Sequence, residues 1–265
     1  MRNASKSETI VMIHGMWAGG WIWDNYRRFF EGRGYRCLAP TLRLHDVDHT
    51  APPPPGLGTT SLLDYAADLE NEIKALERPP ILMGHSMGGL LAQMLGSRGL
   101  ARALVLLAPG PPGGILAVYP SMVRGVLSCL GWGFWRRPVR QTYAEATYSA
   151  MHLVPAAERK DLYERYVSES GRALYELGLW FLDSKRASRV DESRVTCPVL
   201  VIVGSEDRLT PAPLTRKIAE KYRDVATYRE YPHHAHKLTR EPGWEVIAAD
   251  IADWLEKALP PAEQA

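Results

Sequence analysis

From residue 81 the chain reads Ile81-Leu82-Met83-Gly84-His85-Ser86-Met87-Gly88-Gly89-Leu90-Leu91-Ala92, an apolar run followed by a serine and a stretch of helix-forming composition. This pattern predicts a strand, a sharp turn at Ser86 and then a helix. Such a turn holds the serine backbone in an unfavourable conformation, and Gly84 and Gly88 leave room for the strand and the helix to approach closely. We therefore expect the serine hydroxyl to project from the fold towards a substrate.

Short apolar runs alternate with longer helix-like segments along the rest of the chain. Six runs are predicted to be strands, at 9–13, 36–39, 81–83, 103–107, 199–203 and 227–231. Helical spacing is found between them, at 23–32, 62–76, 87–97, 213–222 and 243–259. This order predicts an α/β fold, with a mostly parallel sheet and helices on both of its faces.

The alternation of strands and helices stops after residue 109 and resumes near residue 195. Between these points Pro-Gly punctuation separates amphipathic stretches, and no strand is predicted. We expect residues 110–194 to be a helical cap inserted after the fifth strand. The ranges 1–109 and 195–265 are expected to form one core domain, because α/β folds of this size commonly do.

Composition argues against several classes of protein. The 265 residues include 32 basic and 30 acidic side chains without a basic block, so nucleic acid is not an expected partner. The three cysteines, Cys37, Cys129 and Cys197, match neither a disulfide framework nor a zinc motif. Buried free thiols in a reducing compartment are expected instead.

Neither a secretion signal nor a membrane span is predicted. The first nine residues are polar and run directly into an apolar strand, without an apolar segment followed by a cleavage site. The most apolar stretch, 116–135, is interrupted by Pro120, Arg124 and three glycines, which breaks the length that a spanning helix needs. We expect a cytoplasmic protein without stable membrane insertion, and the oligomeric state is left open.

A serine nucleophile needs a base within hydrogen-bond reach and an acid that orients the base. Glu206 and Asp207 follow the predicted strand 199–203, at the carboxyl end where open α/β sheets build their sites. We predict that Asp207 is the acid, because its shorter side chain before Pro211 suits a fixed acceptor. Glu206 is the alternative.

Three histidines follow the last predicted strand, namely His233, His234 and His236. We predict that His236 is the base, because it lies furthest past the strand, where the loop can turn back over Ser86. His234 is the second choice. A His-x-His pair also fits metal binding, but no carboxylate or cysteine at ligand spacing accompanies it, so neither a metal nor another cofactor is predicted.

The backbone N–H that follows the nucleophile, here that of Met87, is one expected donor to an oxyanion. The second is expected from the loop after an early strand, where His14-Gly15-Met16 places the N–H of Met16. The ring of His14 is expected to pack or hydrogen-bond beneath this loop.

The order Ser86, Asp207, His236 along the chain is the order that accompanies the serine turn of α/β-hydrolases. The sequence resembles that superfamily over nearly its whole length. It looks most like the branch of plant methylesterases and hydroxynitrile lyases, and like related bacterial carboxylesterases. The residues that carry this resemblance are the His14-Gly15 opening, the Gly-x-Trp-x-Trp continuation over 19–23 and the Gly34-Tyr35 entry to the next strand.

The resemblance implies a serine esterase. Lyases of that branch carry a lysine after the catalytic histidine, as Lys237 does here, but they have a threonine where this chain has Gly15. Without the threonine hydroxyl an aldehyde or cyanohydrin oxygen loses a partner, whereas the oxyanion hole for an ester stays open. Lys237 is then interpreted as a surface cation. A hydroxynitrile lyase, a cofactorless perhydrolase and a non-catalytic ligand receptor are the alternatives.

The cap sequence is rich in large apolar residues, which predicts a small to medium hydrophobic carboxylic ester, or a lactone, as substrate. We predict that Trp17, His85, Met122 and Trp180 contact it. Most of the other apolar cap residues are expected to pack a core; they are Tyr119, Trp132, Phe134, Trp135, Tyr143, Tyr148, Met151 and Phe181.

Overall fold

A computed structural model describes residues 8–259. Within them, eight strands are present: β1 (Thr9–Ile13), β2 (Arg36–Leu38), β3 (Ile81–His85), β4 (Ala103–Leu107), β5 (Pro138–Val139), β6 (Glu169–Ser170), β7 (Val199–Gly204) and β8 (Ala226–Tyr231). Six of these strands form one sheet in the order β2-β1-β3-β4-β7-β8, and every neighbouring pair in it is parallel. The predicted α/β fold and its six strands are confirmed.

The helices of the same range are α1 (Asp24–Glu31), α2 (Leu62–Lys74), α3 (Met87–Gly96), α4 (Pro120–Val126), α5 (Tyr143–Ser149), α6 (Ala156–Glu164), α7 (Gly171–Gly178), α8 (Ala212–Lys221) and α9 (Trp244–Ala258). The five helices predicted outside the cap are present, with ends that differ by one or two residues. Among the described residues, none of the helices is both long enough and apolar enough to cross a membrane.

The sheet has a hydrophobic core on each face, because successive side chains of a strand point to opposite faces. In β1, Val11 and Ile13 belong to the core shared with α2, α3 and α8. Ile10 and Met12 belong to the opposite core, which α1 and α9 cover. Helices therefore lie on both faces of the sheet, as predicted, and the carboxyl ends of the parallel strands meet at one edge.

The segment between β4 and β7 contains α4 to α7 and a small antiparallel pair, β5 with β6. Two details of the prediction were wrong. The segment follows the fourth strand of the chain rather than the fifth, and it is not free of strands. β5 and β6 have two residues each, too few to show an alternating pattern. The segment has an apolar cluster of its own, which includes Phe134 and Met151.

The three cysteines are free thiols. Cys129 is buried in the cluster of the inserted segment, and burial raises the pKa of its thiol to about 11. Cys37 and Cys197 are only partly buried. The expectation of buried thiols therefore holds for Cys129 alone.

The turn between β3 and α3 leaves no room for a side chain at Gly84 or Gly88. A Cβ atom on Gly88 would lie 2.1 Å from the carbonyl oxygen of Ile13, and one on Gly84 would lie 2.3 Å from the carbonyl oxygen of Gly88. Both obstacles are backbone atoms, so a side chain at either position would push α3 away from the sheet.

We expect Gly88→Ala to lower the free energy of unfolding by at least about 2 kcal/mol, because overpacking against backbone forces structural shifts. Urea unfolding followed by circular dichroism measures the change. Gly178→Ala is the matched control: no atom lies within 4 Å of its added Cβ, and an effect below about 1 kcal/mol is expected. Equal unfolding midpoints for the two variants would contradict this account of the turn.

Candidate active site

Ser86 lies at the carboxyl end of β3, with φ 55° and ψ −123°. A positive φ is rare for a residue with a side chain, and it persists only where the surroundings enforce it. Here the N–H of Ser86 donates to the carbonyl oxygen of Leu107 at 3.0 Å, and its own carbonyl accepts from the N–H of Gly110 at 2.7 Å. These bonds to the end of β4 and the loop beyond it hold the strained turn that the sequence predicts.

Asp207 is buried in the loop after β7. Its Oδ1 accepts the N–H groups of Leu209 and Thr210, both at 2.8 Å, and its Oδ2 accepts the hydroxyl of Thr210 at 2.9 Å. Burial alone would raise the pKa of this carboxyl, but His236 and the bonds from Thr210 outweigh burial and hold the pKa below its usual value. Asp207 is therefore a fixed carboxylate.

The Nδ1 atom of His236 lies 2.8 Å from Oδ2 of Asp207. Because an ionised carboxylate can only accept, Nδ1 carries the proton and donates it to this bond. In the neutral ring Nε2 is then unprotonated. The structure thus joins the predicted acid to the predicted base in the geometry that a catalytic pair requires.

The loop around His236 is held by two further groups. The buried carboxylate of Glu241 accepts the N–H of Ala235 at 2.7 Å and that of Lys237 at 2.9 Å. The Nε2 of His85 donates to the carbonyl of His236 at 2.8 Å. The backbone is therefore anchored on both sides of the histidine. Glu241 was not identified from the sequence, because its role depends on how this loop folds back.

The alternative residues point elsewhere. Glu206 is half exposed and lies 3.7 Å from Nδ1 of His233, whose side chain is 92% exposed. His234 lies 3.0 Å from the carbonyl oxygen of Pro232 through its Nδ1. No group of three or more His, Cys, Asp or Glu side chains within residues 8–259 is placed to hold a metal ion.

Ser86 and His236 line the same small cavity, whose volume is about 10 Å³. That volume holds roughly one water molecule. Its other lining residues are Gly15, Met16, Trp17, Ala18, His85, Gln141, Ala150, Tyr166, Leu209 and Lys237. Gln141, Ala150 and Tyr166 come from the inserted segment, which therefore closes the cavity over Ser86.

The interpretation of Lys237 as a surface cation was wrong. The residue is only 5% exposed, and its Nζ lies 5.0 Å from the centre of the Tyr166 ring. The bond from its N–H to Glu241 fixes the backbone there, and the side chain lines the cavity. The sequence offers no signal for this, because a lysine in a loop can face either way.

The loop after β1 brings the predicted oxyanion donors to the cavity. Met16 lines it, and Met87 begins α3, where the first N–H groups have no partner within the helix. Within residues 8–259, neither N–H is engaged by another protein group. A Cβ on Gly15 would lie 2.8 Å from Cβ of Ser86. The loop can therefore approach the serine this closely only because residue 15 is glycine.

His14 supports this loop from beneath, as predicted. Its Nε2 accepts the N–H of Leu42 at 2.9 Å, so Nδ1 carries the proton and donates to the carbonyl of Gly15 at 2.8 Å. Burial and the neighbouring His45 lower the pKa of His14 to about 3. The ring is thus neutral and its orientation is fixed by two backbone groups.

Trp17 lines the cavity and also ties the oxyanion loop to the inserted segment. Its indole N–H donates to the carbonyl of Val139 at 3.1 Å, and its own carbonyl accepts the N–H of Val167 at 2.9 Å. Its φ of 62° is a second strained position in the site. His85 lines the cavity too, but its Nε2 is engaged by the backbone of His236.

Met122 and Trp180 are not brought to this cavity. The indole of Trp180 donates to the carbonyl of Ile115 at 3.2 Å and lines a separate groove, while Met122 packs against the core around α2 and α3. None of the other cap aromatics predicted from composition lines the cavity, and Trp132 is 95% exposed. The aromatic residues pack mainly on one another, as Phe134 does on Trp135.

A parallel sheet with a serine at a strained strand-to-helix turn, followed along the chain by a joined acid and histidine, defines the class of α/β hydrolases. A profile of the Alpha/beta hydrolase family matches residues 10–249, and the chain belongs to that family. The resemblance drawn from the sequence is confirmed at this level.

Three known proteins illustrate the relationship. A monoacylglycerol lipase of Mycolicibacterium smegmatis is 28% identical over 186 residues, which are 68% of this chain and 63% of that protein. The match thus spans less than two thirds of the lipase. The α-hydroxynitrile lyase of Arabidopsis thaliana is 23% identical over 84% of this chain and 88% of its own length. The structure of a pyrethroid hydrolase from Sphingobium faniae JZ-2 superposes with a TM-score of 0.69 at 20% identity, covering 98% of this chain and 100% of that one.

Proposed function

We propose that this protein is a carboxylic ester hydrolase that works through an acyl-enzyme on Ser86. The observation that carries the proposal is the bond of 2.8 Å between His236 and Asp207, next to a cavity that His236 shares with Ser86. A histidine held in this tautomer presents an unprotonated Nε2 that can accept the serine proton. The monoacylglycerol lipase among the relatives supports an ester as the substrate.

In the first step Ser86 Oγ attacks the carbonyl carbon of the ester while its proton passes to Nε2 of His236. Asp207 stabilises the imidazolium that forms, and its fixed bonds keep the ring oriented. The imidazolium then gives the proton to the departing alcohol. Water, activated by the same Nε2, adds to the acyl carbon and releases the acid, which regenerates Ser86.

The N–H groups of Met16 and Met87 would hold the negative charge that develops on the carbonyl oxygen. Donors of this kind are effective because they are already in place when the charge forms. In this protein the Met16 donor depends on His14 below the loop and on Trp17 beside it. Distortion of this loop should therefore lower kcat more than it changes KM.

The size of the cavity favours a small acyl group. About 10 Å³ is free beside Ser86, so an acyl chain of more than a few atoms must displace Gln141, Ala150 or Tyr166. These residues all belong to the inserted segment, and the segment would set the upper limit of chain length. An apolar ester or lactone with a short acyl part fits this description best.

Hydroxynitrile lyase activity is the second candidate, and the buried Lys237 favours it, since a cation facing Ser86 can stabilise a leaving anion. Gly15 argues against it. A threonine there would place its Cβ about where the model Cβ lies 2.8 Å from Cβ of Ser86, and the chain lacks the hydroxyl that the lyases use. We therefore place ester hydrolysis first.

A substrate panel separates these functions. 4-Nitrophenyl esters from acetate to dodecanoate test hydrolysis, mandelonitrile tests cyanide release, and acetate with hydrogen peroxide tests peracid formation. We expect hydrolysis that is fastest for the shorter esters. Cyanide or peracid as the main product would favour the lyase or the perhydrolase, and no turnover of any compound would favour a ligand receptor.

A further inference from the structure

Lys237 is a buried cation without an anionic partner. Within residues 8–259 no carboxylate oxygen lies within 4 Å of its Nζ, and the recorded contact of this group is with the ring of Tyr166. Buried charges are costly unless they are paired. A cation–π contact compensates only part of that cost.

The carboxylates nearest in the fold are already engaged. Asp207 binds His236 and Thr210, and Glu241 uses its two oxygens for the N–H groups of Ala235 and Lys237. The other buried acid of this region, Glu169, binds His45 and Tyr65. None of them is free to turn towards the ammonium group.

The other basic groups beside the cavity do not add charge but also do not remove it. His14 and His85 are buried, and each uses a ring nitrogen to hold a backbone carbonyl. Burial lowers the pKa of both rings, so both are neutral. The cavity next to Ser86 thus carries the positive charge of Lys237, opposite the aromatic wall of Tyr166.

We propose that Lys237 is the binding group for a carboxylate carried by the substrate, so that the preferred substrates are esters with a second, anionic group. This inference rests on the proposed ester hydrolysis at Ser86 and deepens it. Binding would pair the ammonium with the substrate carboxylate inside the cavity, where an ion pair is weakly screened. Tyr166 would pack against the apolar part of the same ligand.

Two matched pairs of esters test the inference. Mono-4-nitrophenyl hexanedioate is compared with 4-nitrophenyl hexanoate, which places the charge on the acyl side. 4-Carboxyphenyl acetate is compared with 4-carbamoylphenyl acetate, which places it on the alcohol side. In at least one pair we expect the wild type to favour the anionic ester, with a ratio of kcat/KM values that Lys237→Met lowers at least tenfold.

Lys237→Arg should keep most of the preference, because the charge remains. Lys217→Met is the matched control, since it removes an exposed lysine of α8, and it should change the ratio less than twofold. Thermal unfolding shows whether each variant is folded. Ratios that are the same in the wild type and in Lys237→Met for both pairs would overturn the inference.

A binding measurement keeps the test independent of turnover. Calorimetry with hexanedioate and with 4-hydroxybenzoate should give at least tenfold tighter binding to the wild type than to Lys237→Met. Equal affinities, or no binding of either compound to the wild type, would overturn the inference even if no ester is hydrolysed. Selective binding of a carboxylate without hydrolysis would instead overturn the proposed function and leave the anion site standing.

Discussion

Ser86→Ala is expected to lower kcat for a 4-nitrophenyl ester by at least about 10⁴-fold, because no other group at the site can form the acyl-enzyme. KM should change little, since the hydroxyl is not needed for the substrate to occupy the cavity. Initial rates with 4-nitrophenyl acetate, corrected for the buffer reaction, measure the effect.

Ser205→Ala is the matched control for this change. Ser205 is an exposed serine in the loop that also carries Asp207, and its recorded backbone bond, from its N–H to Tyr231, survives the substitution. The control should retain the wild-type rate within about twofold, as surface substitutions usually do. Residual turnover in Ser86→Ala comparable with that of the control would mean that hydrolysis does not use Ser86.

Asp207→Asn is expected to lower kcat by about 10³- to 10⁴-fold while the protein stays folded. The amide oxygen can still accept the N–H groups of Leu209 and Thr210. Its NH₂ group would face Nδ1 of His236 and donate to it, so the proton of the ring would move to Nε2. The histidine would then be unable to take the proton of Ser86.

Glu206→Gln is the control for the loss of a carboxylate in the same loop. Glu206 faces His233 at the surface and makes no recorded contact with His236, so its replacement should leave kcat within about twofold. Steady-state kinetics and thermal unfolding of both variants give the comparison. A larger loss in Glu206→Gln than in Asp207→Asn would assign the acid to the wrong residue.

Much of the sheet could be predicted because its strands are short, continuous apolar runs that are buried on both faces. The turn at Ser86 was predictable for a local reason, since the spacing of Gly84 and Gly88 answers a close approach of backbone atoms. The small strands β5 and β6 were not, because two residues leave no period to detect. The same limit explains why the insertion was placed one strand too late.

The joining of Asp207 to His236 followed from a topological argument, namely that parallel strands deliver their following loops to one edge. Which side chains line the cavity does not follow from such an argument. Aromatic composition pointed to Met122 and Trp180, whereas Gln141 and Tyr166 reach the cavity. The direction of each side chain is set by packing within the inserted segment, and Lys237 shows how a loop can bury a residue that its sequence suggests is exposed.

The central claim is that Ser86 is an activated nucleophile. Incubation with a small fluorophosphonate, followed by intact-mass measurement and peptide mapping, tests it directly. We predict one phosphonyl group per chain, located on Ser86 and absent from Ser86→Ala, with labelling much slower in Asp207→Asn. An unlabelled wild type, or a label on another residue with Ser86 free, would contradict the account.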